Sequence, residues 1–312
     1  MKIALIGQAA FGEAVFSALR TAGEDIVAVS SVTGKPERPD PLWAAAQAAG
    51  IACFPTAKLK QPDVLDAFAA TKPDLGVMAF VTHILPQRVL DLPALGTIQY
   101  HPSLLPRHRG IAAMQWAIRM GEPKTGLSIF WVDAGIDTGP VLLQREVEIG
   151  PDDSVGSLYF DKLFVPGVDA LVESVRLVRE GKAPRIVQDE SQMTYEPPAD
   201  DANSAIAWSR PAREVYDLIR GSNPAPGAHA MLYATKVRIF DARMTLGKTA
   251  AAPGTILASE SDRIDIALEG GVLHAHRLQR EGGKKLPAAE FAAEMGVVVG
   301  DGFEEGVVSP AS

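Results

Sequence analysis

The chain has 312 residues, length enough for two domains, and 47% of them are hydrophobic, which supplies a substantial core. A net charge of −8 argues against a nucleic-acid binder, which carries a basic balance or patch. Cys53 is the only cysteine, so an intrachain disulfide framework and a cysteine-rich metal site are excluded, no metal is expected, and a reducing, cytoplasmic setting fits.

The opening MKIALIGQ turns polar too soon for a secretory signal, and no run of about 18 apolar residues suggests a membrane span. Ile3-Ala4-Leu5-Ile6 reads as a strand ended by Gly7, and Ala14, Val15, Ala18, Leu19 and Ala22 then share one helical face. Further strands are expected at Ile26–Val29, near Ala52, and at Leu75–Phe80, Thr97–Tyr100 and Leu127–Val132. Helices over Leu42–Ala49 and Pro62–Ala70 fall between them. This alternation predicts an α/β fold with a doubly wound, mostly parallel, Rossmann-like sheet, in which ligands lie beyond the carboxyl ends of the strands. Asp153–Gly181 reads as a long helical region interrupted at Pro166. A polar stretch with Pro197-Pro198 follows, and it sets the organisation: a catalytic domain over residues 1–186, a linker over 187–204 and a C-terminal domain over 205–312. That last part opens with a helix whose apolar side is Val215, Tyr216, Leu218 and Ile219, broken at Asn223–Gly227. Short strands then follow at Val237–Phe240, Gly254–Ala258, Ile264–Ala267 and Val272–Leu278, a pattern for a small β-barrel or β-sandwich. The extreme C-terminus is expected to be loosely held.

Some features are weak. Gly7-Gln8-Ala9-Ala10-Phe11-Gly12 joins a strand to a helix but is not GxGxxG, and no acidic residue soon follows the second strand, so a dinucleotide site is disfavoured. A helix N-terminus there can still take an anion, although a plain turn is the simpler reading. His274 and His276 alternate on a predicted strand and share a face, without a third metal ligand. Two stretches carry more. In IQYHPSLLPRHRG, His101 ends an apolar run, and Pro102 and Pro106 restrict the backbone after it. In DAGIDTGP, Asp133 and Asp137 bracket a glycine turn. Alone, the first is open to reading as a hydrogen-bonded strand-end histidine and the second as a polar β-turn. Together they say more, because both follow predicted strands of one parallel sheet and are expected to open at the same carboxyl edge. A histidine beside a carboxylate makes an acid–base pair.

HPSLLPRHRG followed by DAGIDTG, with 36 positions from His101 to Asp137, resembles the folate-dependent formyltransferase family. MKIALIGQAAFG, SIFWVDAGIDTG, EGKAPR and PAREVYDLIRGSNPAPGA resemble one branch in particular, the hydrolase domain of 10-formyltetrahydrofolate dehydrogenase, and the likeness spans nearly the whole chain. The resemblance implies a formyltransferase fold with a C-terminal β-domain, 10-formyltetrahydrofolate as formyl donor, and His101 and Asp137 as the catalytic pair. Protonated His101 would stabilise the oxyanion formed when an amine or water attacks the formyl carbon. Asp137 would hold His101 and help move protons to N10 of the folate. The pterin would lie in the loop Phe80, Val81, Thr82, His83, Ile84, Leu85 and Pro86, bound largely by backbone groups, and against the loop from Asp133 through Gly135 to Asp137. Ser103 to Gly110 would shape the acceptor side. Gln99 stands where the transferases carry asparagine; it offers the same amide on a chain one methylene longer, and the dehydrogenase branch also lacks asparagine there. The acceptor stays open between water and a small amine. Methionyl-tRNA is disfavoured, because Thr33–Asp40 carries two positive and two negative residues in place of a basic insertion, and Lys236 and Arg238 form only an isolated basic pair. A nucleotide-linked amino-sugar acceptor and a folate-binding module without turnover are the remaining alternatives.

Overall fold

The computed structural model describes residues 1–35 and 37–306; the C-terminal end expected to be loosely held, residues 307–312, lies outside the described residues. The chain packs into two compact units. The first comprises Met1–Ile111, Thr125–Val147 and Phe160–Tyr195; the second comprises Ala112–Lys124, Glu148–Tyr159 and the chain from Glu196 onward. Residues 187–195, read from sequence as part of a linker, therefore count with the first unit.

The first unit is built on seven strands: β1 (Lys2–Gly7), β2 (Asp25–Ser31), β3 (Ala52–Pro55), β4 (Leu75–Ala79), β5 (Thr97–His101), β6 (Lys124–Trp131) and β7 (Val141–Glu148). Their spatial order is β3-β2-β1-β4-β5-β6-β7. The pairs β2–β3, β1–β2, β1–β4 and β4–β5 are parallel. β1 and β4 are buried along nearly their whole length, which is why they read as unbroken apolar runs rather than alternating ones. The winding reverses between β1 and β4, and the loops beyond their carboxyl ends flank the crevice where such sheets bind ligands.

β6 departs from the sequence expectation. It runs antiparallel to β5, with His101 opposite Ser128 and Ile98 opposite Trp131. Its carboxyl end therefore lies beside the start of β5, and Val132 donates its amide to the Thr97 carbonyl. His101 and the loop after β6 do not leave one parallel sheet at a shared carboxyl edge. An apolar run such as Leu127–Trp131 fits a buried strand in either direction, so its composition does not fix its sense. β7, which the sequence reading does not anticipate, completes the edge; its outer half alternates between exposed and half-buried residues.

Helix α1 (Ala9–Thr21) buries Phe11, Val15, Phe16 and Leu19 on one face. Helix α2 (Pro41–Ala48) begins with Pro41, whose missing N–H falls among the amides that a first turn leaves unpaired, and it is capped by Asp40. The long helical region differs from expectation. A π-helical segment, Leu158–Leu163, leads without a break into α3 (Phe164–Arg179), and Pro166 sits in the first turn of α3 just after that segment.

The second unit holds an antiparallel sheet of β8 (Ala228–Leu232), β9 (Thr235–Leu246), β10 (Ile256–Ser259), β11 (Ile264–Leu268), β12 (Gly271–Arg280) and β13 (Leu286–Pro287). The order is β8-β9-β12-β11-β10, with β13 on β12. Gly302 bridges Thr255 and Glu304 bridges Met231, so the returning chain spans the two outer strands and gives the sheet a barrel-like closure that covers its edges. Helix α4 (Ala212–Arg220) and helix α5 (Ala288–Met295) bury Val215, Tyr216, Ile219, Ala288 and Phe291 in the core that this sheet surrounds.

Candidate functional site

His101 is the last residue of β5, and alternation along the strand puts Gln99 on the same face. The imidazole is buried, with 4% of the residue exposed. Its Nε2 lies 2.7 Å from the His108 carbonyl oxygen. A carbonyl only accepts, so Nε2 carries the proton and the ring turns Nδ1 the other way. There it meets Asp137, with Nδ1 and Oδ2 3.5 Å apart. The segment after His101 folds back to make this possible. Ser128 donates to the Ser103 carbonyl (2.7 Å) and receives the Leu105 amide (3.0 Å), Ser103 donates to the Arg107 carbonyl (2.6 Å), and His108 adopts a left-handed backbone (φ 53°).

The loop from Asp133 to Pro140 brings the carboxylate back to the histidine. Asp133 Oδ1 accepts the Gly135 amide (3.0 Å) and the Thr138 hydroxyl (2.6 Å), so this carboxylate shapes the turn from within. A Cβ on Gly135 would lie 2.1 Å from Thr138 Oγ1, and one on Gly139 would lie 1.7 Å from the Trp131 carbonyl; both glycines are needed for close approach. Asp137 itself is left-handed (φ 55°) and buried. Its Oδ2 accepts the Gly110 amide at 2.8 Å.

Beyond β4, Phe80 is also left-handed (φ 59°), and its ring lies 6.4 Å from that of Phe11. Thr82, His83 and Ile84 are exposed, Ile84 by 90%. Thr82 accepts the Gln8 side-chain amide at 3.3 Å, which ties this loop to the turn after β1. Leu85 instead turns into the core beside Val89 and Leu90. Gln99 is half-buried between Met78 and Phe130 on the neighbouring strands, and among the described residues its side-chain amide makes no hydrogen bond. The structure thus brings His101 and Asp137 together, with Gln99 on the same strand face, while Asp133 and Gly135 shape the loop.

Three features escape the sequence reading. Buried Asp40 accepts the amides of Ala9 (2.7 Å), Leu42 (3.0 Å) and Trp43 (3.3 Å) and the Ser31 hydroxyl (2.9 Å), so the start of α1 is served by the protein's own carboxylate. Arg109, expected only as part of the segment that shapes the acceptor side, is buried against Gln188 and Glu190. Gln188 reaches the backbone of the Asp137 loop. Elsewhere, His274 bonds Asp265 and Thr245, and His276 bonds the Asp262 carbonyl. Among the described residues no helix is long and apolar enough to cross a membrane.

Comparison with known proteins matches two family models: "Formyl transferase" over residues 1–175 and "Formyl transferase, C-terminal domain" over residues 199–296. The chain is 38% identical over 315 residues to mitochondrial 10-formyltetrahydrofolate dehydrogenase of Mus musculus, covering 96% of this chain and 34% of that one. It thus spans about a third of the length of that relative. Methionyl-tRNA formyltransferase of Geotalea daltonii is 33% identical over 306 residues, covering 96% of this chain and 97% of that enzyme. Among solved structures, HypX from Aquifex aeolicus in complex with tetrahydrofolic acid superposes with a TM-score of 0.72 at 20% identity, over 96% of this chain and 48% of that one; at that identity the likeness concerns the fold.

Proposed function

The chain belongs to the formyl transferase family, and from that premise we propose that it takes the formyl group of 10-formyltetrahydrofolate and passes it to water or a small amine. The observation that carries this reading is the buried pairing of His101 with Asp137 at 3.5 Å. The nucleophile attacks the formyl carbon, and the formyl oxygen takes on negative charge. An imidazolium at His101 keeps its Nε2 proton on the His108 carbonyl and shares its Nδ1 proton between Asp137 and that oxygen. Asp137 accepts the proton shed by the nucleophile and returns it to N10 as the carbon–nitrogen bond breaks. Gln99, whose amide no group among the described residues engages, supplies a further donor on the same face of β5. The pterin rests on the loop from Phe80 to Pro86, where Thr82 and His83 are exposed beside the crevice between β1 and β4.

A second reading, transfer to methionyl-tRNA, draws on the near-complete coverage of the tRNA enzyme among the relatives. Charge disfavours it. Lys236 and Arg238, the basic pair of the second unit, are both engaged by Asp201, at 3.0 and 2.7 Å, which leaves little net positive charge for a polyanion.

The test is turnover of 10-formyltetrahydrofolate by the purified protein, followed by tetrahydrofolate absorbance. It is run without an acceptor and then with small amines, nucleotide-linked amino-sugars and charged initiator tRNA, each added separately. Steady release without acceptor identifies a hydrolase. Release that depends on one addition identifies a transferase and its acceptor. No release under any condition overturns the reading.

A further inference from the structure

Gln188 lies in a polar stretch with no motif of its own, yet its side chain is buried. Its Nε2 donates to two backbone carbonyls, Asp137 at 2.9 Å and Gly139 at 2.7 Å. Its Oε1 accepts from Arg109, at 2.8 Å from Nη2 and 3.3 Å from Nε. Only one orientation of the amide fits this arrangement, because a guanidinium only donates and a carbonyl only accepts. Glu190 fixes Arg109 in turn, receiving Nη1 at 3.0 Å and Nη2 at 2.6 Å in a two-point pair. The Arg109 hydrogen bond holds the exposed Glu190 carboxyl below its usual range.

The target of this chain of contacts is the residue with the least comfortable backbone in the loop. Asp137 is not glycine, yet its φ is 55°. A side chain is kept in that region only where its surroundings over-determine it, and such residues gather at functional sites. Two contacts do this for Asp137: Gly110 holds the carboxylate and Gln188 holds the carbonyl. Gly110 directly follows Arg109, whose guanidinium holds Gln188, so both contacts come from groups next to the same arginine.

We propose that Gln188 is a positioning residue, whose amide, oriented by Arg109 and Glu190, locks the Asp137 backbone so that its carboxylate faces His101. The inference rests on the reading of His101 and Asp137 as the reacting pair. Without the two donated hydrogen bonds the loop relaxes and the carboxylate swings away from Nδ1.

Gln188→Glu removes the donor and keeps the acceptor that Arg109 binds. A carboxylate at 188 keeps, and charges, the contact to Arg109, but it has no proton for the Asp137 and Gly139 carbonyls. In Gln188→Glu the new carboxylate faces two carbonyl oxygens it cannot bond, so the melting temperature should fall despite the stronger Arg109 contact; the KM for 10-formyltetrahydrofolate should stay within about twofold, and kcat should fall about 10- to 100-fold, as a displacement of about 1 Å does. Gln188→Ala should show the same kcat loss with some loss of stability. Amide hydrogen exchange at Gly110, whose N–H rests on Asp137, should be about tenfold faster in both variants, the signature of local opening. Wild-type kcat in Gln188→Glu overturns the proposal, as does a loss that tracks melting temperature or KM across the two variants. Should the wild type release no tetrahydrofolate, the formyl-transfer reading falls, and the Gly110 exchange rate alone decides: faster exchange upholds the positioning of Asp137, unchanged exchange overturns it.

Discussion

Asp137→Asn removes a charge and keeps a shape. The asparagine oxygen still accepts the Gly110 amide now bound at 2.8 Å, so the loop and the fold hold. What disappears is the attraction between a carboxylate and an imidazolium 3.5 Å away. Coulomb's law at an effective dielectric constant of about 20 gives about 4.7 kcal/mol for unit charges at that separation. At about 1.4 kcal/mol per decade this corresponds to roughly three orders of magnitude in rate. The amide dipole restores part of the attraction, while the lost proton acceptor adds to the deficit. The expected outcome is a kcat about 10³-fold lower, with the KM for 10-formyltetrahydrofolate within about threefold, as befits an interaction made in the transition state. The assay is tetrahydrofolate release at saturating donor, with thermal unfolding measured on the same samples. A variant that keeps more than about a tenth of wild-type kcat would refute the reasoning, because the electrostatic coupling would then be worth less than about 1.4 kcal/mol.

His101→Ala should abolish turnover and keep the circular dichroism of the wild type; it removes the hydrogen bond to the His108 carbonyl, a cost of about 0.5–1.5 kcal/mol in unfolding free energy. Turnover near that of the wild type would remove His101 from the mechanism. Gly139→Ala places a methyl group 1.7 Å from the Trp131 carbonyl, so either the end of β6 or the Asp137 loop must shift. Both melting temperature and kcat should drop, and an unchanged melting temperature would contradict the packing described. Tyr216 donates to Asp152 at 2.8 Å, and burial, with that hydrogen bond, pushes its phenol up to about 12 from 10.0. The folded chain therefore keeps a proton that the unfolded chain gives up, and stability should fall as pH rises from about 10 to about 12. Burial raises Tyr159 to about 12 as well, so Tyr216→Phe should flatten this alkaline limb in part, as read by denaturant unfolding at pH 9 and above; a limb of undiminished slope would count against it.

The parallel half of the first sheet is legible because β1 and β4 are apolar on both faces and helices with one apolar side separate the strands. β7 is hidden by its outer residues, Gln144, Glu146 and Glu148, which read as a polar connection until an edge strand is found to need only one buried face. The direction of β6 is hidden for another reason: strand sense depends on how the chain returns, and Leu127–Trp131 carries no mark of it. His101 and Asp137 are legible as residue types because imidazole and carboxylate beside strand ends carry chemistry. Gln188 leaves no such mark. One glutamine in a polar stretch looks like solvent-facing chain, and the signal within reach is indirect: Ile186 and Tyr195 pair with Val141 and Arg109, which means that this stretch returns to the sheet rather than leaving it.

That return matters for anyone who would dissect the protein. A fragment ending at residue 186 keeps every strand of the first sheet, α3, His101 and Asp137, and by secondary structure it would look whole. It would lack Gln188 and Glu190, and with them the partners that bury Arg109 and hold the Asp137 loop from behind. The smallest piece that retains the whole arrangement ends no earlier than Tyr195, the last residue of the first unit.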